Sequence, residues 1–186
     1  MPVQISSLAI PDVKLITTTR HSDARGYFRE TFQRDAFAQQ GIDRDFIQDN
    51  ESGSDRPGTI RGLHFQRPPF AQTKLVRVLL GRILDVAVDL RPSSPTYGLH
   101  VTAELCAGTD EQLLVPIGFA HGFCTLEPDT IVSYKVDQVY SPSHDGGVNW
   151  ADRRLAIDWP VAAADAILSE KDRVLPMLDQ LAPIFE

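Results

Sequence analysis

Short runs in which apolar and polar residues alternate, cut at close intervals by glycine and proline, constrain this chain more than any other feature. The breaks read "RPGT", "RPP", "LLGR", "RPSSPTYG", "CAGTDEQ", "VPIG", "EPDT" and "SPSHDGG". Between them lie "KLVRVLL", "ILDVAVDL", "LHVTAEL", "QLLVPI", "FCTL" and "TIVSYKVDQVY". A period of two suits a strand with one buried face, whereas a surface helix repeats every ~3.6 residues. Many short strands between regular turns predict a mainly β chain, folded as a sandwich or a small barrel. "KLVRVLL" and "ILDVAVDL" flank "GR" and read as a β-hairpin. Helical pattern is scarce. "QRDAFAQQG" predicts one short helix closed by Gly41, and "WPVAAADAILSEKDRVLPML" one or two more, with Ser169 as a cap. With 186 residues and no repeat, low-complexity tract or charge block, the chain reads as one domain, 1–186.

Strand parity sorts the side chains by face. In "ILDVAVDL", Leu84, Val86, Val88 and Leu90 form a core face. Ile83, Asp85, Ala87 and Asp89 form the other, which faces solvent or a polar cavity; solvent is the default, since carboxylates are seldom buried without partners. In "TIVSYKV", Tyr134 falls with Val132 and Val136, opposite Ile131, Ser133 and Lys135. It is a core tyrosine or one that lines a cavity.

Composition narrows the function classes. A net charge of -7 argues against a general affinity for nucleic acid, which favours a basic face. A local basic pocket for an anion stays open. Two cysteines, Cys106 and Cys124, fit no zinc motif and no disulfide framework, and read as reduced thiols of a cytoplasmic protein. The N-terminus has no basic region before an apolar core, so no signal peptide is read there. No apolar run approaches the ~20 residues that a membrane span needs.

Two histidine-bearing stretches carry the chemistry. "GTIRGLHFQ" holds Arg61 and His64, with Lys74 soon after; "PIGFAHGF" holds His121. Histidine can take and return a proton near neutrality. A lysine can stabilise negative charge on oxygen, and arginine binds phosphate in a bidentate manner. Together they suggest proton abstraction beside a carbonyl on a phosphorylated substrate, against the plainer reading of His64 as a structural strand residue. Arg61 and His64 have opposite parity, so a bend or bulge near Gly62 is required if both are to enter one cavity.

The form Pro-x-Gly-x-x-His around His121 resembles the second motif of the cupin β-barrels. Metal cupins carry His-x-His and a later Glu in the first motif, where this chain has His64-Phe65-Gln66 and no acid before Lys74. Too few ligands remain for a first-row metal, so no metal and no cofactor are expected. Taken in order, "DARGYFRETF", "FIQDNES", "GTIRGLHFQRPPFAQTKLVRVLLGRILDVAVDLRPSSPTYG", "LLVPIGFAHGFCTLEPDTIVSYKVDQVYSP", "GGVNWADRRLAIDWP" and "LSEKD" resemble the dTDP-4-dehydrorhamnose 3,5-epimerase family over nearly the whole chain.

The resemblance implies a cupin-type double-stranded β-helix, or jelly-roll barrel, with a few short helices mostly near the C-terminus. It implies inversion of C3 and C5 of dTDP-4-dehydro-6-deoxy-D-glucose, a dTDP-4-keto-6-deoxy sugar, within dTDP-L-rhamnose biosynthesis. His64 would be the base and Asp172 its partner. Lys74 would steady the enolate oxygen, and Tyr134 would return a proton at C5 on the opposite face. From the residues alone, Asp172 reads as a solvated helix-end acid. The resemblance gives Arg25 and Arg61 to the diphosphate and Gln48 and Asn50 to further polar contacts. Glu30, His121 and Lys171 match binding positions, and His121 would pair with Asp85. Phe28 and Tyr140 stack on base or sugar, or belong to the core. Asp145 stands where the family often has Glu, and Phe70 where it often has a polar residue. A homodimer with crossing N-terminal strands is implied, without nucleic acid or membrane partners. Competing readings are an epimerase acting on one carbon or on another keto-sugar, a non-catalytic sugar-nucleotide-binding cupin, and a metal-dependent cupin oxygenase.

Overall fold

The structure, a computed structural model, describes residues 3–185. Strands dominate. β1 (Val3–Ser7), β2 (Lys14–Thr18), β5 (Gln48–Ser54), β7 (Lys74–Leu80), β10 (Glu111–Val115) and β12 (Thr130–Val136) form a six-stranded sheet in the order β1-β2-β10-β7-β12-β5. β6 (Ile60–Gln66), β8 (Arg82–Asp89), β9 (His100–Cys106), β11 (Phe119–Thr125) and β13 (Asp145–Gly147) form a five-stranded sheet in the order β13-β6-β11-β8-β9. β3 (Arg20–Asp23) and β4 (Gly26–Arg29) make a separate hairpin. The two large sheets are open and face each other, a cupin-like jelly roll rather than a closed cylinder.

The first core lies between the sheets. Val76, Val78, Leu113, Val115 and Val132 from one meet Ile83, Ala87, Leu105, Phe119 and Phe123 from the other. A second core lies behind the five-stranded sheet, where the chain after β13 covers Leu63, Phe65, Val86, Val88 and Leu90 with Val148, Leu155, Leu178 and Phe185.

These two cores correct two expectations. β8 has no solvent face: Asp85 and Asp89 are both 0% exposed, on the side packed against the opposite sheet. Parity grouped them correctly, but a central strand of a covered sheet is buried on both sides. Asp89 is satisfied by Arg91, Ser94 and Thr96. The "GR" turn is not a hairpin either. β7 and β8 belong to different sheets, and Gly81, at φ +77°, turns the chain from one wall to the other. A Cβ there would sit 2.3 Å from Thr130 Oγ1. Two period-two runs look the same whether they pair side by side or stack face to face.

The first helix, α1 (Arg34–Ala38), forms where expected and buries Phe37 against Ile16, Ile42 and Leu75. Gly41 at φ +85° closes it: its N–H donates to Ala38 O (2.9 Å), and Ile42 N–H donates to Phe37 O (3.0 Å). Among the described residues near the C-terminus only α2 (Glu170–Arg173) and a 3₁₀ turn (Leu178–Gln180) are helical. The alanine-rich stretch before them stays irregular, since Val161, Ala166 and Leu168 pack on Ile60, Trp150 and Trp159. Among the described residues no helix is long and apolar enough to cross a membrane.

Candidate active site

Gly62 solves the parity conflict in β6. His64 opposes His121 in the ladder with β11, while Arg61 opposes Phe123, so three steps on β6 match two on β11. The extra residue is a bulge. Gly62 takes φ +128°, and a Cβ there would lie 2.7 Å from Gly122 Cα, a space that only glycine fits. Arg61 and His64 consequently line the same cavity of about 450 Å³.

Two walls bound that cavity. The five-stranded sheet supplies Arg61, His64, His121 and Phe123, with Asp85 opposite Phe123 in the ladder. The six-stranded sheet supplies Lys74 and Tyr134 from neighbouring strands. An adjoining lobe of about 290 Å³ shares His64, Lys74, Tyr134 and Lys171 and adds Gln48, Asn50, Tyr140 and Asp145.

His64 Nε2 donates to Asp172 Oδ1 at 2.6 Å. Asp172 is buried, at 3% exposure, on α2. Ser169 caps that helix by accepting from Asp172 N–H at 3.1 Å, which fixes the carboxylate behind the imidazole. Burial opposes ionisation of Asp172. The bond and charge of His64, with Ser169 and the Gly62 amide, outweigh it and hold the carboxyl below its usual range. An ionised carboxylate can only accept, so Nδ1 of His64 is left as the basic nitrogen.

A second pair lies deeper. His121 Nε2 donates to Asp85 Oδ1 at 2.6 Å, and both residues are buried. Lys74 is buried too, with its Nζ donating to His64 O at 3.2 Å. Burial pushes its pKa down to about 8, with Asp85 and Asp145 pulling up and Lys171 pulling down. Burial raises the Tyr134 phenol, so its hydroxyl keeps its proton. Arg61 is held at the rim by Gly53 O (2.7 Å) and Ser54 Oγ (3.2 Å).

In the second lobe Gln48 donates to Asn50 Oδ1 (2.8 Å) and accepts from Tyr140 N–H (3.1 Å). Asp145 pairs with Lys171 and accepts from the Tyr140 hydroxyl at 3.2 Å. The aspartate, one methylene shorter than glutamate, still meets both. Phe70 packs on His144, ring centroids 4.5 Å apart, and lines neither lobe.

Arg25, Phe28 and Glu30 stand apart. They are exposed on or beside the β3–β4 hairpin and line neither lobe. The Arg25 side chain is 90% exposed and pairs with Asp23 at 2.5 Å. Conversely, Ser52, Phe123 and the chain from Ile167 to Ser169 line the cavity unforeseen. Period two could have found Ser52 from Asn50 and Phe123 from His121; no local pattern marks Ile167, which bridges to Thr59 across the sequence. Among the described residues no three His, Cys, Asp or Glu side chains converge as a metal-binding group.

A base, an oxyanion-stabilising cation and a proton-bearing phenol thus face one space, base and phenol on opposite walls. Such a set can remove a proton next to a carbonyl and return one from the far side. Comparison with known proteins agrees with that chemistry. Residues 7–180 match the family described as dTDP-4-dehydrorhamnose 3,5-epimerase. The dTDP-4-dehydrorhamnose 3,5-epimerase of Sinorhizobium fredii is 51% identical over 180 residues, covering 97% of this chain and 92% of that one. The crystal structure of the Bacillus anthracis dTDP-4-dehydrorhamnose 3,5-epimerase with TDP and PPi bound superposes with a TM-score of 0.91 at 50% identity, covering 95% of this chain and 99% of that one. That of dTDP-6-deoxy-D-glucose-3,5-epimerase from Legionella pneumophila, in complex with dTDP-4-keto-L-rhamnose, gives 0.92 at 38% identity, covering 97% and 95%.

Proposed function

The chain belongs to the dTDP-4-dehydrorhamnose 3,5-epimerase family, and on that premise we propose that it converts dTDP-4-dehydro-6-deoxy-D-glucose into dTDP-4-dehydro-L-rhamnose by inverting C3 and C5. It is an isomerase of dTDP-rhamnose biosynthesis, acting in the cytoplasm. His64 takes the proton next to the C4 ketone and becomes imidazolium, which the Asp172 carboxylate stabilises. The electron pair of the broken C–H bond becomes the enolate double bond, leaving negative charge on the C4 oxygen. Lys74 meets that charge as an ammonium. Tyr134 gives its hydroxyl proton to C5 from the opposite wall. Solvent then restores the phenol and takes the proton from His64, so each cycle leaves the protein unchanged.

Arg61 binds the diphosphate at the rim, and His121, Gln48, Asn50, Tyr140, Asp145 and Lys171 contact the nucleotide sugar. No metal or cofactor enters these steps. Arg25, Phe28 and Glu30 line neither lobe of their own chain's cavity. They serve a second subunit's cavity in a homodimer whose N-terminal strands cross over. The observation that carries the reading is the half-buried His64, bonded to the buried Asp172, across the cavity from Tyr134 and Lys74. NMR of the product formed in heavy water tests it. The expected result is deuterium and inversion at both carbons, undiminished after exhaustive chelation. Inversion at one carbon only would make the chain a mono-epimerase, and dependence on an added divalent metal would overturn the metal-free route.

A further inference from the structure

Asp85 is the buried carboxylate that the steps above leave without a task. It is 0% exposed. Its Oδ1 accepts from His121, while its Oδ2 is buried and has no hydrogen-bond partner among the described residues. Facing it from the other sheet is Lys74, an ammonium with one hydrogen bond among the described residues, to a backbone carbonyl. A buried ammonium needs a nearby anion more than an exposed one does. Around Lys74 stand Arg61 and His64 on β6, Asp85 on β8, His121 on β11, Tyr134 on β12, Asp145 on β13, and Lys171 and Asp172 on α2. Three of these are carboxylates, and Asp172 is committed to His64. Asp145 already pairs with Lys171, whose charge offsets its own. Asp85 holds half of its carboxylate uncommitted and has the largest favourable charge effect on Lys74.

We propose that Asp85 is a positioning residue: it is the fixed counter-charge that keeps Lys74 an ammonium inside the cavity. The two groups form no direct ion pair. Asp85 acts through its field, stronger between buried groups than in water, and leaves the Lys74 protons free to point at an oxyanion. The catalytic consequence rests on Lys74 meeting the enolate.

The test follows the Lys74 Cε resonance against pH in ¹³C-labelled protein, assigned by its absence from Lys74→Met. Wild-type Lys74, pushed down by burial to about 8, should show its midpoint there. Asp85→Asn, close in shape, lowers that midpoint by roughly one unit or more, which cuts the ammonium fraction at pH 8 about fivefold. His121→Asn, which keeps the carboxylate, does not lower it. An unchanged midpoint in Asp85→Asn would overturn the proposal, even if activity were lost. If Asp85→Asn fails to fold, the wild type suffices: the Asp85 carboxyl ¹³C signal moves with the Lys74 step, and a flat signal overturns the proposal. The alkaline limb of kcat reads the other premise separately. If the Lys74 midpoint moves in Asp85→Asn and the kcat limb does not, Asp85 is the counter-charge and Lys74 is not the enolate's partner.

Discussion

The cavity between the sheets and the β3–β4 hairpin carry the same kinds of polar side chain, and the fold treats them in opposite ways. In the cavity Asp85, Asp172 and Lys74 are buried, and each is fixed by a partner from a distant strand or helix. On the hairpin Arg25 meets only Asp23, two residues back, and Tyr27 and Phe28 are 59% and 66% exposed. Buried charges need positioned partners, so the cavity is preorganised by the folding of one chain. The base of the hairpin is tied to Asp110 by Arg20 and Arg29, while Arg25 at its tip has a local turn contact alone. On the proposed function, the proton-moving groups are complete within a subunit, and the outlying grip on the nucleotide is not.

The largest effect that contrast predicts falls in the cavity. His64→Asn removes the base and leaves the walls, the Lys74 ammonium and the binding residues standing. Turnover should drop by ~10²–10⁴-fold, and solvent exchange should stop at C3 and C5 together. Exchange that persists at either carbon would reveal a second base, for which the His121–Asp85 pair is the nearest source.

The same contrast decides what was legible beforehand. The alternation of β12 put Tyr134 on the apolar face, that of β8 grouped Asp85 with Asp89 without revealing that their face is buried, and the clash of parity between Arg61 and His64 located the bulge at Gly62. Those are local facts, readable from two or three residues. The partner of β7 was not readable, because apolar alternation specifies that a face is buried and not what buries it. The burial of Asp85 and Asp89 depends on the opposite sheet, whose strands come together from distant stretches of the sequence. Asp172 meets His64 across 108 residues, and only resemblance to a family pointed to it. Resemblance likewise named the hairpin residues; nothing in their own pattern separates them from an ordinary solvated turn.

The rim of the cavity should respond next. Arg61→Ala removes a cation held by Gly53 and Ser54 beside the His64–Asp172 pair. A charge-assisted contact of roughly 1.5–3 kcal/mol converts to about 10–150-fold weaker binding of dTDP, measurable by calorimetry. Unchanged affinity would detach Arg61 from the diphosphate. A smaller effect follows from pH. The Lys74 value lies below that of a free lysine, so its charge is present below about pH 8 and lost above it. The kcat profile should fall on its alkaline side by about tenfold per pH unit in the limit. A profile flat to pH 9.5 (well past that value) would exclude the ammonium from the rate-limiting step.

The hairpin gives the smallest signal and the sharpest break in the comparison. Arg25 is exposed and bound only to its neighbour, so Arg25→Ala should leave the melting temperature where it was. If the hairpin served its own chain or nothing, substrate affinity would also stay put. If it grips the nucleotide of a second subunit, affinity should weaken while kcat at saturation holds. Mixed dimers separate the possibilities. Co-expressed Arg25→Ala and His64→Asn chains, each defective alone, form dimers in which one cavity has an intact His64 and receives an intact Arg25 from its partner. Random pairing makes such cavities about a quarter of the total, so about a quarter of wild-type activity should return at low substrate. Recovery cannot arise when Arg25 and His64 must come from one chain, because no chain in the mixture holds both. A mixture as inactive as its parents would return the hairpin to its own subunit, and with it the claim that the binding surface is divided between two chains.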